Sequence, residues 1–283
     1  MACASDEPID DGIIRLSSSV TSAITRANTG DAIQDAQFIS GAQIFVEAYK
    51  TGQTSTYTTG NYSTTDGDGT MSGSLYYPSD MSDIDICAYY PSTVSSSTTS
   101  FSVNASQTTA NVANYRSSDL MYATKLTNKA KGSIHALTFK HALTKIIVTI
   151  TNGNGVSDAD ISGKVTAVKI NNTKPTAGFT ISGGAVGTIT ASGTAADIDI
   201  TGTTKTNHTG IIVPQTLTAN TTFITVTYNN ANYTYAIPSG GKTFEAGKVY
   251  TYALTLSAAG ISLSSVSITN WTTGTGDSKT ITL

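Results

Sequence analysis

Charge is scarce in this chain. Of 283 residues only 12% are Asp, Glu, Lys or Arg, and the 16 Lys and Arg are scattered singly within a net charge of −3. No basic stripe exists to neutralise phosphates, so nucleic acid is excluded as an expected partner. Cysteine is almost absent: Cys3 and Cys87 allow at most one disulfide, and their settings argue against it. Cys87 lies in the alternating stretch Asp83 to Tyr90 and reads as a small packed thiol. Long apolar runs are missing too, and without about 20 consecutive apolar residues no segment reads as a membrane-spanning helix. The three histidines, His135, His141 and His208, do not sit at ligand spacing, and none follows a serine or cysteine elbow. With no paired carboxylates, nucleophile motif or metal cluster, an enzyme is the weakest reading and no cofactor is expected. His141 reads instead as a buried, hydrogen-bonded side chain.

What the chain does contain is Ser, Thr, Gly and Asn, with Val, Ile and 14 Tyr. Thr, Val, Ile and Tyr fit pleated strands, whereas the helix formers Leu, Glu, Lys and Arg are few. The class is all-β, of extracellular type. A chain of 283 residues exceeds the usual single domain, so two domains are expected, with one large β-sandwich as the alternative.

The segment from Gly12 to Arg26, GIIRLSSSVTSAITR, holds one short candidate strand. Ile14, Leu16, Ser18 and Val20 share one face, with Ile13, Arg15, Ser17 and Ser19 on the other. Burying Ile14, Leu16 and Val20 would contribute about 5 to 9 kcal/mol before ordering costs. The following Ala27-Asn28-Thr29-Gly30 is turn-rich, which leaves Arg26 exposed to a protease. By itself Arg26 reads as a solvated loop arginine. Before the strand, residues 1–11 read as an acidic tether.

Short strands then recur at sandwich-like intervals. Gln43 to Tyr49, Gly73 to Tyr77, Ile84 to Tyr90, Phe101 to Val103 and Leu120 to Ala123 are separated by Gly, Ser, Asp and Pro. Asp66-Gly67-Asp68-Gly69 resembles a fragment of a calcium loop but lacks the remaining acidic ligands, so a hairpin turn is expected. From Ile134 to Ile150 the apolar parity switches near His141 and Ala142, as a bulge or corner requires. A second domain is placed from 132, after a first domain spanning 12–131. It continues through Lys164 to Ile170, Gly178 to Ile181, Ile198 to Ile200, Gly210 to Val213, Phe223 to Tyr228, Tyr233 to Ile237 and Val249 to Leu256. Asn229 to Asn232 reads as a hairpin connection.

Six motifs occur in order. They are Tyr89-Tyr90-Pro91, Asp119-Leu120-Met121-Tyr122-Ala123, Leu137-x-Phe139-x-His141-x-Leu143-x-Lys145, Pro214-Gln215, Phe244-x-Ala246-Gly247-Lys248-x-Tyr250-x-Tyr252 and Ile268-x-x-Trp271. In this order, across nearly the whole chain, they resemble the fimbrillin family of Bacteroidales. The resemblance implies two tandem transthyretin-like β-sandwich domains and a pilus or pilus-like surface lipoprotein. It also implies a maturation route: lipid attachment at Cys3, export guided by Asp6-Glu7, attachment to the outer membrane, then cleavage after Arg26 by a trypsin-like or gingipain-like protease. Cleavage would remove the strand carrying Ile14, Leu16 and Val20, and a strand of a neighbouring subunit would refill the groove.

The candidate donor is the tail 258–283. After Ala258-Ala259-Gly260, a plausible hinge, Ile261 and Leu263 change parity with Val266 and Ile268, which predicts two short strands joined by a bend. By the resemblance these four residues belong to the donor strand; otherwise the segment is an ordinary last strand with Trp271 in its core. The expected partners are other copies of the chain, related pilin subunits and the maturation protease. Two alternatives stay open. One is a tip adhesin or glycan-binding lipoprotein directed at host or bacterial surfaces. The other is an anchor subunit that keeps its first strand.

Overall fold

The computed structural model describes residues 11–20, 38–65, 69–202, 208–271 and 279–281. The first strands are β1 Arg15–Val20, β2 Gln43–Lys50, β3 Thr56–Thr64, β4 Thr70–Ser72, β5 Ile84–Tyr90 and β6 Ser100–Ser102. A short helix α1 Val112–Ser117 leads to β7 Met121–Ala123, β8 Leu126–Lys129 and β9 Ile134–His141. After β10 Thr144–Asn152 and α2 Asp158–Lys164 come β11 Val165–Thr173, β12 Thr176–Gly178, β13 Ile181–Ser182, β14 Ala185–Val186, β15 Thr190–Ser192 and β16 Ala196–Asp199. The remaining strands are β17 His208–Ile212, β18 Gln215–Leu217, β19 Thr222–Tyr228, β20 Ala231–Ala236, β21 Lys242–Phe244, β22 Lys248–Ser257, β23 Gly260–Asn270 and β24 Lys279–Ile281.

The chain is all-β apart from its short helical turns, as its composition predicts. The first sheet runs β2-β3-β4-β1-β9-β7-β5-β8, and a further β2–β5 pairing closes it on itself. The first unit is therefore a barrel rather than the expected two-sheet sandwich, with β8 attached outside the closed ring through β5. The second unit is a sandwich: β17-β10-β22-β23-β24 packs on β16-β11-β19-β20 around one apolar core.

The parity switch at His141 and Ala142 is a corner between these two sheets. β9 pairs with β1 and β7 in the barrel, whereas β10 pairs with β17 and β22 in the sandwich. The sheets thus divide at Ala142 and Leu143, beyond the boundary expected at 132. They are also interlaced. β6 pairs with β12, and the buried Gln107 side chain accepts from Ile211 N at 2.7 Å and donates to Ile211 O at 2.9 Å. Gln107 in this way covers the outer edge of β17 as a neighbouring strand would.

β5 joins the two cores. Ile84, Ile86, Ala88 and Tyr90 point into the barrel, while Cys87 and Tyr89 point into the sandwich. All seven residues of β5 are buried, so the side facing the sandwich is covered as well as the side facing the barrel. Cys87 is a free, buried thiol, and Asn229 and Asn230, both at positive φ, form the two-residue β19–β20 turn.

Candidate strand-exchange site

β1 is inserted between β9 and β4. On one side it pairs in parallel with β9 along its whole length, from Arg15 against Ile134 to Val20 against Phe139. On the other side the antiparallel pairing with β4 is limited to Leu16–Met71 and Ser17–Thr70. Irregular backbone bonds extend it, with Ile14 N donating to Leu75 O at 2.7 Å and Ser18 N to Gly69 O at 2.6 Å. Gly69 permits that approach, since a Cβ there would lie 2.3 Å from Ser18 O.

The inward face is that read from the sequence. Ile14, Leu16 and Val20 are 0%, 2% and 6% exposed and belong to the barrel core with Leu137, Phe139 and Met71. Ser18, the polar member of this face, donates its hydroxyl to Gly69 O at 3.3 Å, which answers the cost of burying it. Tyr62 adds a bond from inside: its Oη donates to Ile14 O at 2.6 Å. Burial holds this phenol's pKa up at about 12, so the donor persists through the neutral range. Gly73 makes room for the Tyr62 ring, because a Cβ would come within 2.5 Å of it. Beside β1 a cleft of about 380 Å³ is lined by Ile13, Arg15, Met71, Gly73 and Ile134.

At the floor of the slot His135 pairs with Leu16, its Nε2 2.6 Å from Tyr77 Oη. Tyr77 Oη also donates to Ala130 O at 3.0 Å. Burial lowers the His135 pKa, so the neutral imidazole is the favoured form. Neither this network nor Tyr62 was identifiable from sequence, because β3 has no strong apolar alternation.

The tail differs from the expectation of two strands with a bend. β23 is one continuous strand paired with β22, from Ser257 against Gly260 to Lys248 against Asn270. The parity change is a β-bulge at Ser264, since Leu254 faces Leu263 while Ala253 faces Ser265. The bulge places Ile261, Leu263, Val266 and Ile268 on one side, opposite Leu256, Leu254, Tyr252 and Tyr250. All four serve the sandwich core of their own chain. Ile14, Leu16 and Val20 therefore lie in one core, and these four residues in another.

The end of β23 is fastened at the corner between units. Trp271, 3% exposed, stacks on His141 with ring centroids 3.7 Å apart and planes 5° from parallel. The Asp119 carboxylate accepts from His141 Nδ1 at 2.9 Å, which fixes the imidazole tautomer and orientation. Lys145 Nζ lies 5.7 Å from the Trp271 ring, Trp271 N donates to Gly247 O at 2.7 Å, and Lys248 Nζ donates to the Asn270 side chain. His141 is thus buried and hydrogen-bonded, as read from the sequence, with Trp271 as its neighbour.

Cys3 and Arg26 lie outside the described residues, as do Asp6, Glu7 and most of the Asp66 to Gly69 turn. Among the described residues no group of three or more His, Cys, Asp and Glu could hold a metal ion. Among the described residues no helix is long and apolar enough to cross a membrane.

The fimbrillin-like family model matches residues 25–271. A candidate fimbrium subunit, Fim1C, of Bacteroides uniformis is 32% identical over 214 residues, covering 73% of this chain and 67% of the relative. The crystal structure of a candidate cell adhesion protein from Bacteroides uniformis superposes with a TM-score of 0.69 at 25% identity, covering 94% of this chain and 100% of the other. A second such structure, from Bacteroides ovatus, has a TM-score of 0.63 at 17% identity, covers 93% and 99% of the two chains, and shows the shared fold. The order of the six motifs, the buried first strand and these likenesses agree: the chain belongs to the fimbrillin-like family.

Proposed function

We propose that this chain is a structural subunit of a cell-surface pilus that polymerises by protease-triggered strand exchange and supports adhesion. The observation that carries the reading is the seat of β1. It is buried along its inward face in the core of an otherwise closed barrel, yet it precedes the other described strands in sequence and is only partly paired with β4. A strand in that position can be lost without rearranging the strand order around it. Its loss leaves β9 with an unpaired edge beside an apolar slot, which is a template for an added strand.

In the proposed route, lipid on Cys3 holds the precursor at the outer membrane and cleavage after Arg26 frees β1. A strand from the tail 258–283 of a neighbouring subunit then fills the slot. Partners are other copies of the chain, related pilin subunits and the Arg-specific protease, with host or bacterial surfaces as adhesion targets. The fimbrium-subunit relative and the adhesion-protein structure support this assignment.

The test is limited digestion of the full chain with an Arg-specific protease. Mass spectrometry reads the cut site, and size-exclusion chromatography with electron microscopy reads assembly. A single cut after Arg26 followed by filaments is expected. Resistance at Arg26, or a clean cut that leaves monomers, overturns polymerisation and assigns an anchor or a non-polymerising tip subunit.

A further inference from the structure

We propose that the cleft at the corner between barrel and sandwich binds a sugar that carries a carboxylate. This rests on the adhesion part of the reading above, to which it gives a ligand class, and it is independent of strand exchange. The cleft encloses about 330 Å³, near the lower end of the range for small-molecule sites, and both units build it. The barrel contributes Tyr122 and Lys140, directly opposite each other on β7 and β9 and so on one face of the sheet. The sandwich contributes Lys248 and Asn270, themselves opposite each other on β22 and β23. Val186 and Ile189 form a further wall. Gly184 seats that wall: at φ +82° it lays the β13–β14 turn on β5, where a Cβ would lie 2.7 Å from Cys87 Sγ.

Charge selects the ligand's sign. The whole chain has 19 Asp and Glu against 16 Lys and Arg, yet two lysines line the cleft and, among the described residues, no Asp or Glu does. Asp119 is 2% exposed, held in the clasp with His141 and Trp271, and does not line it. Lys248 Nζ donates to Asn270 Oδ1, so Asn270 Nδ2 and the other Lys248 N–H groups remain as donors. The side chains therefore offer positive charge and mostly donors, which suits an anion rich in acceptors.

Apolar surface selects the kind of anion. The Tyr122 ring, Val186 and Ile189 are only partly buried, and they give the C–H face of a pyranose something to rest on. A simple inorganic anion would use none of that surface. At this volume the cleft takes a compact ring in preference to an extended acidic peptide, which needs a groove along its length. A carboxylate on the ring then meets Lys140 and Lys248, and its hydroxyls meet Asn270 and Tyr122 Oη.

The test titrates the full, uncut, isotope-labelled chain with glucuronate, for the uronic acids, and with N-acetylneuraminate, for the sialic acids, and reads amide NMR shifts. Saturable shifts at Lys140, Gly187, Gly247 and Asn270 are expected with at least one of them. Lys140→Gln should weaken that binding about tenfold, as the loss of one charge-assisted hydrogen bond predicts. Lys140 is exposed, so the variant should unfold in urea as the wild type does. Lys248→Gln should weaken binding by a similar factor, about tenfold. Equal shifts with glucose, with acetate or with a tetraglutamate peptide would overturn the proposal in favour of a neutral-sugar, simple-anion or acidic-peptide site. An absence of shifts with both acidic sugars, or unaltered affinity in Lys140→Gln, would overturn it too. Because the chain is uncut, none of these outcomes depends on filaments, and cleavage-driven assembly stands or falls on its own digestion test.

Discussion

β1 and β23 are both apolar along one face and both lie between two neighbours, but they are retained by different means. β1 has a full parallel ladder to β9 and an incomplete one to β4, and its hold comes from Ile14, Leu16 and Val20 in the barrel core. β23 has a full antiparallel ladder to β22 and ends in a clamped tryptophan. A strand held by side chains in a slot can be exchanged for another of the same pattern. One held by a long ladder and an end clamp cannot leave without opening its sandwich. The barrel thus holds its first strand mainly by buried side chains, and the sandwich holds β23 mainly by its ladder and end clamp.

The largest effect should come from the clamp. Trp271→Ala removes a side chain 3% exposed, its stack on His141 and its packing at the corner. A loss of about 4 kcal/mol is expected in urea unfolding. The same variant should raise hydrogen exchange along β23 while leaving β1 protected. If β1 loosens equally, the two strands are not separately held.

Leu16→Ala tests the other strand. Leu16 is 2% exposed opposite His135, so truncation should cost about 3 kcal/mol by the burial and cavity terms. Its exchange signature should be confined to the barrel. A cost below about 1 kcal/mol would mean that β1 is held by its backbone ladder and not by the slot.

Acid separates the units in a third way. Burial pushes the His208 pKa down to about 4 in the sandwich, and its Nδ1 accepts from Gly202 N at 2.9 Å. Protonating that nitrogen breaks the bond and buries a charge. The folded value lies below the ordinary one of about 6.5, so this stability is complete above pH 6.5. It is lost progressively as pH falls to about 4, by about 3 kcal/mol at most. His208→Gln should flatten the slope of unfolding free energy across that window relative to the wild type. His135 in the barrel has the same sign, so the variant should keep a smaller residual slope across that window.

Much of this was legible in the chain. The face of β1 followed from strict alternation at Ile14, Leu16, Ser18 and Val20, and the burial of Cys87 from its place in the alternating stretch Asp83 to Tyr90. Alternation reports which residues face inward, not which strand lies alongside. β9 therefore read as the opening of the second domain, although its ladders are to β1 and β7. β3 was missed because TYTTGNYST is polar and Gly60 has no side chain to mark a face. A bulge and a bend leave the same parity change in sequence, so the extra residue Ser264 was visible only through its partners Ala253 and Leu254. The clasp joins Asp119, His141 and Trp271, residues far apart in the chain, and no local pattern signals such a meeting.

The smallest expected effect completes the contrast. Arg15 donates to both Asp11 oxygens, at 3.1 and 3.0 Å, on the solvent side of β1. The two side chains are 44% and 35% exposed, so their attraction is screened by water and offset by the cost of ordering them. Asp11→Ala should change unfolding free energy by less than about 0.5 kcal/mol, and should leave the cut at Arg26 and the exchange rates of β1 unaltered. A larger loss would mean that β1 is pinned from outside by charge. Release would then depend on salt, and filament formation after cleavage would quicken as ionic strength rises. If β1 is held from within, salt leaves that rate nearly unchanged, because screening does not reach Ile14, Leu16 and Val20 in the core.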